Sequence, residues 1–165
     1  MSDLISRAER FARVRHEGQF RKGKAKEPYT NHLVEVAALV ERWSGSESAI
    51  AAAWLHDTVE DCPPTSVAEL ESLFGKDVAD IVAELTDDKS LPKADRKKLQ
   101  IINAAKKSKE ACLVKLAELN AYDDLGSVRQ AQNAAISILE RKAKRAGADE
   151  AQIRKFMLSF MQGAL

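Results

Sequence analysis

The chain has 165 residues, of which 45% are hydrophobic and 31% are charged, and its formal net charge is +1. This length and balance predict one globular domain over residues 1–165 with a single core. The near-neutral charge and scarce aromatic residues argue against a nucleic-acid partner, and no apolar run approaches the roughly 20 residues of a membrane span. Because the start lacks the apolar core of a signal peptide, we expect a cytoplasmic protein with reduced cysteines.

Hydrophobic spacing predicts helices throughout, and no segment alternates as a strand does. Ser66 and Glu69 fit a capping box, and Gly75 is placed to end that helix. The expected helices cover about residues 3–17, from 30 or 31 onward, from the capping sequence 44–47 onward, 66–75, 76–86, 92–106, 109–124, 128–145 and 149–162. In the first helix, Leu4, Ala8, Phe11 and Val14 should face the core. The sequence therefore predicts an all-α fold, in which the last helices could close the core or form a dimer face.

Residues 56–61 place one imidazole and three carboxylates directly after an apolar run. On a helix, His56 and Glu60 would lie one turn apart on one face, with Asp57 and Asp61 in the row beside them. Imidazole nitrogen and carboxylate oxygen suit a divalent Mn, Fe or Zn ion, and the second acidic pair could orient or deprotonate a water molecule. This segment predicts a metal site with its base attached.

A single His-Asp doublet is more often an acidic helix end that faces water. A second histidine shifts the balance, because His32 falls near a helix start and beside the apolar stripe of that helix. His32 can then reach inward alongside that stripe, which favours the metal site.

The segment Arg21–Lys26 has four cations and a glycine immediately before the segment of His32. An anionic substrate would arrive at that place, so the run favours phosphate binding over a merely soluble loop. By contrast, Lys106, Lys107 and Lys109 predict a solvated helix face.

The ordered succession of motifs resembles the HD-domain metal phosphohydrolases, and within them the short, stand-alone hydrolases of the RelA/SpoT type. The resemblance covers roughly residues 5–125 and is more specific than any one motif. The residues that carry it are His16–Gln19, Arg21–Lys22, Pro28–Tyr29 with His32, His56–Asp61, Phe74–Gly75, Leu85–Lys89, Leu91–Lys93 and Leu113–Ala117.

This resemblance implies a single all-helical HD domain that holds one divalent ion, Mn²⁺ in the family, and removes the 3′-pyrophosphate from guanosine tetra- or pentaphosphate, (p)ppGpp. It also implies roles for residues that match the family by position. The matches are the metal ligands His32, His56 and Asp57, the acidic pair Glu60 and Asp61 that acts on the attacking water, and the basic pair Arg21 and Lys22 that lies against the nucleotide.

The chain departs from the family pattern after Leu113–Ala117. The family has Asp at the next position and Asn four residues later, whereas this chain has Glu118 and Tyr122. Glu118 keeps a carboxylate on a longer stem, so we expect it to be the fourth metal ligand after a small shift. The amide role looks vacant, because Asn120, Asp123 and Asp124 are out of register with Glu118 and would need a one-residue slip or a local bulge to face the ion.

The leading interpretation is therefore a metal-dependent hydrolase of (p)ppGpp whose partner is a small nucleotide and whose oligomeric state stays open. One alternative is a phosphohydrolase of another nucleotide with a 3′-phosphate. The other is an impaired HD domain that binds a nucleotide or a partner without hydrolysis, which the altered segment 118–122 motivates.

Overall fold

The structure, a computed structural model, describes residues 2–22, 26–104 and 106–121. Within these ranges the chain forms helices, and its one piece of β structure is an isolated bridge between Phe20 and Pro28. The helices are α1 Asp3–Arg15, α2 Thr30–Arg42, α3 Glu47–Leu55, α4 Thr58–Asp61, α5 Val67–Phe74, α6 Lys76–Leu85, α7 Lys93–Ala104 and α8 Lys109–Asn120. The all-α class is confirmed. The helices expected at 128–145 and 149–162 lie outside the described residues.

Serine side chains start four of these helices. In each case the hydroxyl oxygen accepts a hydrogen bond from the backbone N–H three residues later, which satisfies a donor that the helix itself leaves unpaired. The serines are Ser2 before α1, Ser46 before α3, Ser66 before α5 and Ser108 before α8. The starts expected at 44–47 and at Ser66 are therefore confirmed, and Gly75, with a φ of 89°, separates α5 from α6.

Helix α3 is the centre of the core. Every residue from Ala49 to Leu55 is buried, and α1, α2, α6 and α8 pack around this helix. Because three consecutive alanines occupy its middle, neighbouring helices approach it closely. The packing sets the end of α3 between the start of α2 and helix α8, which is where the candidate site forms.

Helix α1 turns a slightly different face to this core than the sequence predicts. Ala8 is buried as expected, but Ile5 and Ala12 fill the neighbouring positions, and Val14 is 66% exposed. The expectation for Val14 is wrong. Small side chains at Ala8 and Ala12 let α1 lie close against the alanines of α3, and this close approach decides the inward face.

The helix expected to run through residues 56–61 is interrupted. Helix α3 ends at Leu55, the short α4 begins at Thr58, and His56 and Asp57 lie in the turn between them. The Thr58 hydroxyl donates a hydrogen bond of 2.7 Å to the Leu55 carbonyl, which satisfies an acceptor at the end of α3. The expectation of one continuous helical face for His56 and Glu60 is therefore wrong.

None of the helices in the described ranges combines the length and apolarity that a bilayer crossing needs.

The connection from α2 to α3 is a tight turn at Ser44 and Gly45. Ser44 has a φ of 59°, in the left-handed region that favours glycine. The N–H of Gly45 donates to the Val40 carbonyl at 2.9 Å. A Cβ atom on Gly45 would lie 2.5 Å from Cγ1 of Val40 and 2.9 Å from its carbonyl oxygen, so this position has no room for a side chain.

We expect these two neighbouring positions to respond to substitution with opposite signs. Gly45→Ala should lower the free energy of unfolding by about 1–3 kcal/mol, the usual range for overpacking. Ser44→Gly should raise it by about 0.5 kcal/mol, because relief of the left-handed strain exceeds the added freedom of the unfolded chain. Urea unfolding of both variants beside the wild type measures the two changes. Equal stability of Gly45→Ala and the wild type would contradict the packing of this turn.

Candidate active site

A cleft of about 1140 Å³ opens at the end of α3. Pockets for small ligands usually measure about 300–1,000 Å³, so this space can admit a nucleotide. The cleft brings together all of the site residues expected from the sequence, from four separate stretches of the chain. They are Arg21, Lys22, His32, His56, Asp57, Glu60, Asp61 and Glu118.

His32, His56 and Asp57 form the buried floor of the cleft. Donor atoms of the three residues all lie within 4.8 Å of one another. Oδ2 of Asp57 is 3.0 Å from Nε2 of His56 and 3.9 Å from Nε2 of His32. His32 comes from the first turn of α2, and the other two come from the turn between α3 and α4. The tertiary structure thus converges two imidazoles and a carboxylate on one point.

The neighbours of this group hold it in a form that fits a divalent metal ion. Nδ1 of His56 lies 2.8 Å from the Ala53 carbonyl and donates to it, which leaves Nε2 facing Asp57. The hydroxyl of Tyr29 donates to Oδ2 of Asp57. Such outer hydrogen bonds, one on a ligating histidine and one on a ligating carboxylate, fix the orientation of metal ligands. Two imidazoles with one carboxylate are also a donor set that suits Mn, Fe or Zn.

The electrostatics of the three residues lead to the same conclusion. Burial lowers the pKa of His32 to about 4, so this imidazole is neutral at pH 7 and available as a ligand. Burial also acts against a charged His56, but the Asp57 carboxylate outweighs it and raises the pKa of His56 to about 9. His56 in turn overcomes the effect of burial and lowers the pKa of Asp57. A cation is therefore favoured between His56 and Asp57, and a metal ion would compete there with a proton.

Glu118 lies at the edge of this group, on α8, with 13% of its side chain exposed. Both of its carboxylate oxygens contact Nζ of Lys115, at 2.7 and 2.8 Å. Glu118 is not among the three residues whose donor atoms lie within 4.8 Å of one another. The structure thus brings Glu118 to the cleft and pairs it with a lysine there. Tyr122 and Asp123 lie outside the described residues.

The two acids of α4 differ in how they are held. Oε1 of Glu60 accepts a hydrogen bond of 2.6 Å from the backbone N–H of Asp87, and burial raises the pKa of Glu60 above its ordinary value. Asp61 forms an ion pair with Lys89, and 35% of its side chain is exposed. Glu60 is therefore held in place by a backbone donor, whereas Asp61 is the more exposed carboxylate.

The basic pair lies at the mouth of the cleft. Nη1 of Arg21 is 3.1–3.2 Å from both carboxylate oxygens of Glu35, and Nη2 donates to the Ala121 carbonyl at 2.7 Å. Arg21 thus ties α2 to the end of α8, and its donors already have protein partners. Lys22 also lines the cleft.

Several residues of the cleft were not expected from the sequence. Tyr29, Lys89, Arg96 and Lys115 line it, and three of them add positive charge. The position of Tyr29 beside His32 in the sequence was the available signal, since a hydroxyl one turn from a ligand can support its neighbour. Lys89 gave no local signal, because its partner Asp61 lies 28 residues away in the chain. Lys115 did have a local signal, since Glu118 stands one helical turn from it.

The three lysines expected to form a solvated face do not all do so. Lys106 and Lys109 are exposed, as the sequence predicts. Lys107 is half-buried, and its ammonium donates to the Glu84 carbonyl near the end of α6. The expectation for Lys107 is wrong, because this lysine binds the carboxyl end of a helix, where the backbone carbonyls favour a cation.

Comparison with known proteins places this geometry in a family. The HD domain family matches residues 8–119, which include the latter part of α1, α2, the His56–Asp57 turn and Glu118. The chain is 47% identical over 117 residues to the guanosine-3′,5′-bis(diphosphate) 3′-pyrophosphohydrolase of Xenopus tropicalis, an alignment that covers 70% of this chain and 65% of that protein. It is 47% identical over 110 residues to the Drosophila melanogaster protein of the same name, over 66% of this chain and 61% of that one.

A solved structure supports the same assignment. A metazoan orthologue of SpoT that hydrolyses ppGpp has a TM-score of 0.71 to this chain at 35% identity, and the superposition covers 85% of each chain. The aligned part is less than two thirds of the length of the Xenopus and Drosophila proteins. By its family match, its helical fold and its buried His-Asp group, the chain belongs to the HD domain family.

Proposed function

We propose that this chain is a metal-dependent hydrolase that removes the 3′-diphosphate of (p)ppGpp. The observation that carries the proposal is the buried group of His32, His56 and Asp57 at the floor of a cleft that also contains Glu60 and several cations. The names of the two relatives at 47% identity state this activity for those proteins, which supports it here. We also propose a cytoplasmic location, on the sequence features alone.

In this proposal His32, His56, Asp57 and Glu118 hold one divalent ion, and the family resemblance favours Mn²⁺. The ion would act as a Lewis acid that lowers the pKa of a water molecule and offsets phosphate charge. Tyr29 and the Ala53 carbonyl keep Asp57 and His56 oriented for this role. Glu118 has to exchange Lys115 for the ion before it becomes a ligand.

Glu60 is the proposed general base. Its Oε1 is held by the Asp87 N–H, and its pKa is raised by burial, so the carboxylate is both fixed and more basic than an ordinary glutamate. Glu60 takes a proton from water as the water oxygen bonds to the phosphorus nearest the ribose. The bond from that phosphorus to the ribose 3′-oxygen breaks, and this oxygen takes up a proton, which gives pyrophosphate and GDP or GTP. Asp61, paired with Lys89, orients the water and the departing group.

The cations of the cleft would bind the phosphate groups. Lys22 lines the cleft next to Arg21, in the segment before α2. Lys89 lies in the segment between α6 and α7, and Arg96 lies in α7, so these two cations reach the cleft from a different part of the chain. A nucleotide with phosphates on both its 5′ and 3′ oxygens can contact both sets. Because Arg21 already contacts Glu35 and Ala121, we assign it to shaping the mouth as well as to nucleotide contact.

A second candidate function is binding without efficient hydrolysis. The observation that favours it is the ion pair of Glu118 with Lys115, which occupies the carboxylate expected as fourth ligand. The third candidate, hydrolysis of another 3′-phosphorylated nucleotide, uses the same residues and differs in the base or the 3′-phosphate group that the cleft accepts.

Measuring both pyrophosphate and inorganic phosphate released from a nucleotide panel separates these functions. We expect Mn²⁺-dependent conversion of ppGpp to GDP, with much slower reaction of GDP itself and of nucleotides that have a single 3′-phosphate. Faster reaction of a 3′-monophosphate would favour the broader phosphohydrolase. Tight metal and nucleotide binding with no product from any nucleotide would favour the binding function.

The metal centre has its own test. Protein purified without chelator should contain about one divalent transition metal per chain, and His56→Ala or Asp57→Ala should remove it, because each takes away a convergent donor. Elemental analysis of folded protein measures the metal. Glu71→Ala, which changes an exposed carboxylate on α5, is the matched control and should retain the metal. Equal metal content in all four proteins would exclude the proposed ligands.

The role of Glu60 predicts a separation of binding from turnover. Glu60→Gln should keep the metal and lower turnover of saturating substrate about 10²-fold or more, the usual scale for loss of a positioned base. Glu69→Gln is a control, since Glu69 pairs with Arg15 away from the cleft. Steady-state kinetics at saturating ppGpp, with metal content measured on the same samples, provide the comparison. Unchanged turnover in Glu60→Gln would assign the base to another residue.

A further inference from the structure

The pair of Lys115 and Glu118 stands one turn apart on α8, at the wall of the cleft. Both oxygens of the carboxylate contact one ammonium group, at 2.7 and 2.8 Å. Only 27% of the lysine side chain and 13% of the glutamate side chain are exposed, so solvent and salt screen the pair weakly. This ion pair is therefore a firm contact and not a loose surface one.

The pair also interacts electrostatically with the proposed metal ligands His56 and Asp57. The charge of Glu118 acts on His56, and the charge of Lys115 acts on Asp57. The ammonium already neutralises a carboxylate that has both oxygens on it, so a metal ion that binds these oxygens has to displace the ammonium or share the negative charge with it. Lys115 and the ion thus need the same carboxylate.

We propose that Lys115 is a positioning residue that competes with the metal ion for Glu118 and thereby lowers the metal affinity of this chain. The inference rests on the proposed metal centre and on Glu118 as its fourth ligand. The longer stem of glutamate supports it, since a carboxylate one methylene further from the backbone can lie back along its own helix to the residue three positions earlier. In the ion-free state Glu118 stays on Lys115, and in the loaded state it exchanges this partner for the ion.

The prediction is that removal of the lysine charge tightens metal binding only while the glutamate is present. We would titrate Co²⁺ into the apo-protein, because Co²⁺ binds nitrogen and oxygen donors more tightly than Mn²⁺ and its absorption reports occupancy directly. Lys115→Met should bind Co²⁺ about tenfold more tightly than the wild type, which corresponds to about 1.4 kcal/mol. Glu118→Gln should bind it more weakly, and adding Lys115→Met to Glu118→Gln should change nothing further.

Lys89→Met is the matched control. Lys89 also lies in the cleft and its charge also acts on Asp57, but it pairs with Asp61 and not with Glu118. If the lysines act only through their long-range charge, both lysine variants should bind Co²⁺ slightly more tightly, and by similar amounts, whatever residue stands at position 118. Competition for Glu118 predicts that only Lys115→Met depends on that residue. Circular dichroism checks that each variant is folded, and Lys115→Gln replaces Lys115→Met if the latter is not.

Two results would overturn the inference. One is equal tightening by Lys115→Met in the presence and absence of Glu118, which assigns the effect to charge alone. The other is a wild-type affinity in Glu118→Gln, which removes Glu118 from the ligands. Neither depends on catalysis, because the titration measures metal binding directly. Failure of the proposed activity appears separately, as absence of pyrophosphate release from ppGpp by the metal-loaded wild type.

Discussion

The buried negative charge of Asp57 is the constraint on which the rest of the site depends. The carboxylate follows a helix that is buried from Ala49 to Leu55, where an unpaired charge is costly. Its pKa is nevertheless lowered, because His56 and Tyr29 supply a cation and a hydrogen bond beside it. The carboxyl end of α3 adds to this demand, since the backbone carbonyls there also favour positive charge. The fold thus creates a place that requires a cation.

Opposite charges also hold one another in place elsewhere in the cleft, where acidic and basic side chains meet. Asp61 pairs with Lys89, Glu118 pairs with Lys115, and Arg21 contacts Glu35. Each pair keeps a charged side chain in a defined position. Under the proposed function, an ion or an anionic nucleotide would exchange partners with these residues, so the strength of each pair would set part of the binding free energy.

The departure from the family pattern at Glu118 leaves the fold unchanged. The match to the HD domain family runs through this position to residue 119, and α8 packs against α2 and α3 as a regular helix. On this helix the Glu118 carboxylate contacts Lys115, one turn away. In the proposal made above, this contact would set how readily Glu118 binds a metal ion.

The sequence by itself determined the helical class and the serine caps at Ser46 and Ser66. Short-range rules are enough for these features, because the atoms that decide them lie within one or two turns of one another. The sequence also named eight of the residues that line the cleft, but their roles were predicted from ordered motifs that resemble a known family and not from short-range rules.

Only the tertiary structure decided the break at His56–Asp57, the inward face of α1, and the partners of Lys89, Lys107 and Glu118. The inward face depends on how closely α1 approaches the alanines of α3. The partner of Lys89 lies 28 residues away in the chain, and the carbonyl bound by Lys107 lies 23 residues away. Glu118 has its partner one turn away, but whether a carboxylate contacts a lysine or an ion depends on where the whole helix sits. The local sequence pattern cannot predict the position of the helix, because packing sets the distance between helices.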